Sequence, residues 1–282
     1  MRAREDAMKV GSIVAVLAAV ALGYGGAQWL NSREPQLERG PDGKLDLSAP
    51  APRLNGRPNL SGLWQAERTP TDEFVKVLGP GLPAIQPDLN DVTKHFINVF
   101  WDEKPTELPI KPEAVALMEQ RQKSGRDFPS AYCLPSSLPA SVLVLNVKMI
   151  QADDEIVVLH GNGDPARQIY IDGRTMPEHP EPTWLGTSAG HWEDDTLVVE
   201  TTGFNERAWL DGFGHPRSET MRITERYRRR DVGHMDLEMT FDDSKYYTRP
   251  FGFKTTMNLL PDGHMLEYVC TENQKFRDYV PK

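Results

Sequence analysis

Cysteine is scarce and positive charge is outweighed. Among 282 residues there are two cysteines, Cys133 and Cys270, and neither has the close Cys or His neighbours of a zinc site, so no metal is expected. The chain carries 41 acidic against 32 basic residues, a formal charge of -9, and has no basic stripe interleaved with aromatics. Nucleic acid is therefore excluded as an expected partner. The Gly-x-Ser-x-Gly elbow, the phosphate loop and the His-Glu-x-x-His helix are all missing, which leaves the commonest enzyme chemistries without a signature and implies no cofactor. Long apolar runs are missing too, with one exception near the N-terminus.

That exception is Val10 to Leu30, which holds no charged residue and follows Arg2, Arg4 and Lys9. As a helix it would span about 30 Å, one hydrocarbon thickness. Ala15, Ala19 and Gly23 form a small-residue stripe of the kind that lets membrane helices approach closely. One reading is a single-pass inner-membrane anchor over residues 10–30, with residues 1–9 cytoplasmic and the main domain in the periplasm. The other is a cleaved signal peptide with a Val10–Leu22 core, releasing a periplasmic or secreted protein at Gln28. Either way an oxidising compartment follows. A disulfide between Cys133 and Cys270 would there close a long loop, worth about 4 to 5 kcal/mol in the chain-entropy model. The alternative is two separate buried thiols. Residues 31–58, rich in Pro, Gly and charge, read as a flexible tether before a domain over residues 59–282.

The domain reads as mainly β. Asp194 and Asp195 form the turn of a hairpin that sets Trp192 opposite Leu197, Gly190 opposite Val199 and Ser188 opposite Thr201, with Trp192 lying over Gly190. A second hairpin, Thr220–Arg229 with His234–Phe241, is fixed by its charges: Arg228 opposes Asp236, Arg226 opposes Glu238 and Arg222 opposes Asp242. Its other face is Tyr227 with Leu237, Glu225 with Met239 and Ile223 with Phe241. Val142–Gln151 and Glu155–His160 flank a turn at Asp153 and Asp154, and their apolar content predicts burial on both faces. Arg167–Asp172 is a further strand. A last hairpin turns at Asp262 and Gly263 and pairs Leu259 with Leu266 and Met257 with Tyr268. Gly62 and Trp64 match the Gly-x-Trp start of lipocalin-like barrels. Helices are expected around Asp91–Phe100 and from Pro112 through Lys123, closed by Gly125. The sum is an antiparallel up-and-down barrel of about ten strands, lipocalin-like, with one or two short helices and the N-terminal transmembrane helix.

The succession RQIYIDGR (167–174), GTSAGHWEDDTLVVETTGFN (186–205), AWLD (208–211), HPRSE (215–219), ERYRR (225–229) and EYVCTEN (267–273) resembles a family of exported bacterial proteins. The resemblance covers roughly residues 60 to 276. It implies a secreted, lipocalin-like (calycin-type) β-barrel domain and carries over no catalytic residue. The chain departs from the family pattern in two places: LPSSLPA after Cys133 lacks a glycine and an arginine, and Asp194 stands where glycine is expected.

Chemistry-bearing residues are few. Glu225 lies on the inward face of its strand, so it needs a partner such as Arg167 or Arg174, or else serves as a ligand contact or general base. Glu219 begins the same strand near a barrel mouth, and His215 precedes it by four residues, so the two are a candidate base and orienting carboxylate. Asp211 follows Trp209 in the same loop and either joins them or forms a turn with Gly212. Tyr170 and Arg174 are rim groups, and with Trp192, Trp209 and Glu225 they make the candidate ligand-binding set. The leading expectation is a membrane-tethered extracytoplasmic protein that holds a small apolar molecule or docks through its N-terminal helix as a non-catalytic subunit of a membrane complex. The rival is a cofactor-independent hydrolase, isomerase or cyclase using His215 and Glu219, assisted by Asp211 or Glu225.

Overall fold

A closed ring of strands that simply alternate in direction must have an even number of members. This barrel has nine, so one neighbouring pair has to run parallel. The computed structural model describes residues 37–78, 93–124 and 128–272. A two-stranded ribbon, β1 (Arg53–Leu54) and β2 (Arg57–Pro58), precedes the barrel strands β3 (Gly62–Ala66), β4 (Asn146–Gln151), β5 (Glu155–His160) and β6 (Arg167–Tyr170). The barrel continues with β7 (Thr187–Glu193), β8 (Thr196–Thr202), β9 (Arg222–Arg229), β10 (His234–Asp242) and β11 (Phe251–Leu259), which closes on β3. The helices are α1 (Thr71–Leu78), α2 (Lys94–Ile97), α3 (Pro112–Ser124) and α4 (Ala140–Leu143). The parallel pair is β6 with β7, Ile169 opposite Ser188 and Tyr170 opposite Ala189, reached by a crossover between them. The barrel is thus mixed rather than wholly antiparallel.

Local pairing follows the pattern of side chains. In β7–β8, Trp192 faces Leu197, Gly190 faces Val199 and Ser188 faces Thr201. In β9–β10, Arg228, Arg226 and Arg222 oppose Asp236, Glu238 and Asp242, and the charged face is the exposed one. Asp194 takes a left-handed φ of 50°, a conformation glycine adopts without steric cost and aspartate tolerates better than most residues. The space over Gly190 belongs to Ile171 and Leu197, which a Cβ there would meet at 3.2 and 3.3 Å, and not to Trp192. At the barrel's start Trp64 is fully buried, donates from Nε1 to the Leu60 carbonyl at 2.9 Å, and has the Arg229 guanidinium 4.8 Å from its ring centre.

Longer-range expectations fare differently. Residues 140–143 are helical, and β4 and β5 bury alternate residues only, leaving Ile150 47% exposed. The last hairpin does not form: β11 is flanked by β10 on one side and by β3 on the other, with Met257 opposite Ala66 and Leu259 opposite Trp64. Barrel closure occupies the edge a return strand would need, and Leu266 is left 73% exposed. From residue 37 the expected tether runs against the barrel. Leu47 and Ala49 accept backbone hydrogen bonds from Gly233 and Val232, Arg53 pairs with Asp195 at 2.8 Å, and Arg57 bonds the Asp194 carbonyl. The run Val10–Leu30 and Gly125 lie outside the described residues. No helix among those described is long and apolar enough to cross a membrane.

Candidate functional site

The barrel interior contains an ion pair. Strand alternation turns Ile223, Glu225 and Tyr227 inward from β9, and Arg167, Ser188 and Thr201 converge on them from β6, β7 and β8. The Arg167 guanidinium meets Glu225 in a two-pronged contact, Nη1 to Oε1 at 3.0 Å and Nη2 to Oε2, while Nε donates to Ser188 Oγ at 3.0 Å. Thr201 accepts a further Arg167 bond at 2.8 Å, and Tyr227 donates its hydroxyl to Glu225 at 2.6 Å. Burial, then the Glu225 charge, pushes the Tyr227 hydroxyl well above its ordinary pKa, so it remains a donor. Arg174, the other candidate partner, lies outside, bonded to Asp172 and stacked 3.6 Å from the Tyr170 ring centre. Tyr170 and Arg174 therefore satisfy each other on the surface. Around the ion pair the inward side chains, Trp64, Met149, Ile156 and Leu237 among them, form one contiguous buried cluster.

His160 borders this network. Its Nδ1 faces the Pro165 carbonyl at 3.0 Å, and its buried Nε2 has no hydrogen-bond partner among the described residues. Burial pulls its pKa down to about 4, so the ring is neutral, with its proton on Nδ1 toward the carbonyl.

His215 lies beside Asp211. The loop before β9 is pinched by pairing of Trp209 with Pro216, which brings His215 Nδ1 to 2.6 Å from Asp211 Oδ2. Asp211 also accepts the backbone N–H groups of Val99 at 2.8 Å, Phe213 at 3.0 Å and His215 at 3.3 Å. Phe100 meets the imidazole edge-on at 4.9 Å. Glu219 does not join this pair. Ser218, bonded to Asp243 through both its N–H and its hydroxyl, turns the chain, and Glu219 is exposed in a separate cleft with Met176, His179 and Arg222. The carboxylate in contact with His215 is thus Asp211, not Glu219.

Arg217, which the sequence does not single out and which lies between His215 and Glu219 along the chain, is fully buried. It donates to the Asn205 carbonyl at 3.0 Å, to the Trp184 carbonyl at 2.9 Å and to the Ser137 hydroxyl, and faces the Phe204 ring. Burial, and secondarily the nearby Arg121 charge, lowers its pKa to about 9. It ties three loops together.

A cleft of about 310 Å³ opens at the barrel end where β4 begins and β5 finishes. Phe128, Leu134 and Pro135 form one wall, Val144 and Leu145 a second, Asn162 and Asp164 a third, and Tyr268 the fourth. The Cys133–Cys270 disulfide, with its Cα atoms 5.6 Å apart, fastens the Tyr268 wall to the Leu134 wall. Asp164 Oδ1 accepts the Ser136 N–H at 2.8 Å, and Asn162 donates from Nδ2 to both Asp164 Oδ2 and Ser136 Oγ at 3.2 Å. Ser130 and Ser136 hydroxyls lie 3.2 Å apart. Burial raises the Asp164 pKa against the lowering effect of its Ser136 and Asn162 bonds. Cys133, Ser137 and Leu145 all take left-handed φ, at 56°, 68° and 59°. Such conformations cost roughly 1 kcal/mol or more each and gather where backbone shape is under functional constraint.

A smaller hollow shares Phe96, Phe128, Ser130 and Ser136 with this cleft and reaches Trp209 and Asp211. Trp209 packs edge-on against Phe128 at 5.2 Å, so of the residues expected to bind ligand it alone borders this region. Glu225 is inside the barrel, and Trp192 packs on the core from the opposite hairpin. The sequence does not single out Asn162 and Asp164, whose local signal is the turn-forming run Gly161-Asn162-Gly163-Asp164 at a strand end, while Ser136 falls in the LPSSLPA segment that departs from the family pattern. Among the described residues, no group of three or more His, Cys, Asp or Glu is placed to hold a metal ion. Compared with known proteins, the chain matches no family model, no curated protein and no solved structure.

Proposed function

We propose that the protein is an extracytoplasmic β-barrel that binds a small, largely apolar molecule in the disulfide-fastened cleft. The observation that carries this reading is the cleft itself: about 310 Å³, with apolar walls and a few convergent polar groups, the usual make-up of a small-molecule site. The barrel supports it as a rigid frame whose interior is occupied by the Arg167–Glu225 network and its apolar surround. The disulfide and the charge-free run Val10–Leu30 support export, with that run as an anchor or leader. Native mass spectrometry of the full chain from its own membranes tests the proposal. A small-molecule adduct that disappears in Val144→Trp, which fills the cleft, is the expected result; an adduct that survives Val144→Trp contradicts it.

One contact favours a second reading. The 2.6 Å approach of His215 to Asp211 is the geometry of a general base with its orienting carboxylate, at the hollow adjoining the cleft. Against it, Asp211 accepts three backbone N–H groups, which accounts for the pair as a brace between loops. Turnover of the captured molecule that is lost in His215→Gln, with the fold intact, would favour catalysis.

A further inference from the structure

Resting on the cleft as the ligand site, we infer that the ligand is an organic cation, with an ammonium group against Asp164 and an apolar body against Phe96, Phe128 and Tyr268. Among the described residues, those lining the cleft include no Lys, Arg or His, and Asp164 is their one carboxylate. Its hydrogen-bond donors, the Ser136 N–H and the Asn162 amide, are neutral, and among the described residues it makes no ion pair. Among the carboxylates described above, Glu225 has a guanidinium and Asp211 an imidazole, whereas half-buried Asp164 has neither. Asp243, held by the Ser218 N–H and hydroxyl and by the Lys245 N–H, also lacks a counter-charge among the described residues but lines no part of the cleft. A half-buried carboxylate without a counter-charge loses its remaining hydration when a ligand covers it, and a cation delivered by that ligand offsets the loss.

The walls agree with this polarity. Phe96, Phe128 and Tyr268 line the same space, and the negative faces of aromatic rings attract ammonium groups most strongly where water is displaced. The net charge of -9 favours approach of cations, and an anionic ligand would meet Asp164 with no cationic side chain among the described lining residues to offset the repulsion. The competing explanation is that Asp164 only braces its loop. Asparagine separates the two, because it keeps an acceptor for Ser136 and removes the charge.

Calorimetric titration of the full chain in mild detergent with 3-phenylpropylammonium, 3-phenylpropanol and 3-phenylpropanoate tests the inference. The ammonium compound is expected to bind about tenfold more tightly than the alcohol, equivalent to one ion-pair-sized increment, with the carboxylate weakest. Asp164→Asn should bring the ammonium compound to the level of the alcohol. Tyr268→Leu, on a residue already 45% exposed and so tolerant of change, should weaken the ammonium compound several-fold and leave the alcohol nearly unaffected. If the alcohol binds as tightly as the ammonium compound, or the carboxylate binds best, and Val144→Trp abolishes that binding, the cation inference is overturned and the cleft stands. If no probe binds, or binding is indifferent to Val144→Trp, both fall.

Discussion

Replacing Glu225 by Gln removes one charge from a pair whose side chains are 1% and 0% exposed, and leaves the Arg167 guanidinium buried without its counter-ion. Coulombic attraction and desolvation nearly cancel while the pair is intact, so its net contribution is small. Once a partner is lost, the remaining charge keeps its desolvation penalty, and a cost of about 3 to 5 kcal/mol is expected. Arg167→Met should cost a similar amount, since Glu225 would retain only the Tyr227 hydroxyl, the bond measured at 2.6 Å. The double variant buries neither charge. Methionine approximates the volume of the arginine stem, and the amide introduced by Glu225→Gln can still accept from Tyr227, so the double variant should cost less than either single one. The coupling energy is then at least about 3 kcal/mol. Urea unfolding of all four proteins at pH 7, followed by tryptophan fluorescence, gives the cycle. Additive costs, or a cost under about 1 kcal/mol for Glu225→Gln, would refute the placement of this pair inside a dry barrel.

Three other perturbations follow from the same contacts. His160 has a folded pKa of about 4 against an ordinary value near 6.5, so the unfolded chain takes up the proton first; stability is complete above pH 6.5 and declines as pH falls toward 4. The loss should reach about 2 kcal/mol at pH 5, and His160→Gln should flatten that part of the urea-midpoint profile; an unchanged slope contradicts a buried neutral imidazole. Reduction of Cys133–Cys270, which spans 137 residues, should lower stability by up to about 5 kcal/mol in the chain-entropy model and abolish cleft binding; retention of full affinity in Cys133→Ser would remove the disulfide from the account. Asp211→Ala strands three backbone donors and the His215 ring, so a loss of about 3 kcal/mol is expected in thermal or urea unfolding, whereas a neutral effect would mean that the carboxylate is held there for chemistry alone.

The parts of this fold that can be read from the chain are those in which neighbours in space are neighbours in sequence. The β9–β10 register is legible because three Arg–Asp/Glu pairs and a Thr pair meet only when Arg228 faces Asp236. The inward face of Glu225, and Arg167 as a candidate partner, follow from the same alternation. Closure of β11 on β3 joins Leu259 to Trp64 across nearly the whole domain, and no local pattern announces it. The Asp262–Gly263 turn signal therefore promises a hairpin whose place β3 already holds. Nine strands also require the parallel β6–β7 step, which is a property of the ring and not of either strand.

At the candidate site the same distinction holds. The sequence places His215 near a carboxylate, but spacing alone does not decide between Glu219 and Asp211, since both are four residues away; the Trp209–Pro216 pairing decides it. The cleft draws its walls from five separated segments, residue 96 and residues 128–136, 144–145, 162–164 and 268–270, so its polar groups carry no common motif. Arg217 is invisible for a related reason. Its partners are carbonyls and a hydroxyl from distant loops, which any sequence contains.

The most direct test of the central claim is a crystal structure of the full chain purified from its native membrane with whatever molecule it carries. The account predicts a bound molecule in the disulfide-fastened cleft, in contact with Phe128 and Tyr268 and with a hydrogen-bonding group at Asp164. A molecule seated instead inside the barrel, or in the cleft lined by Glu219 and Arg222, would contradict it.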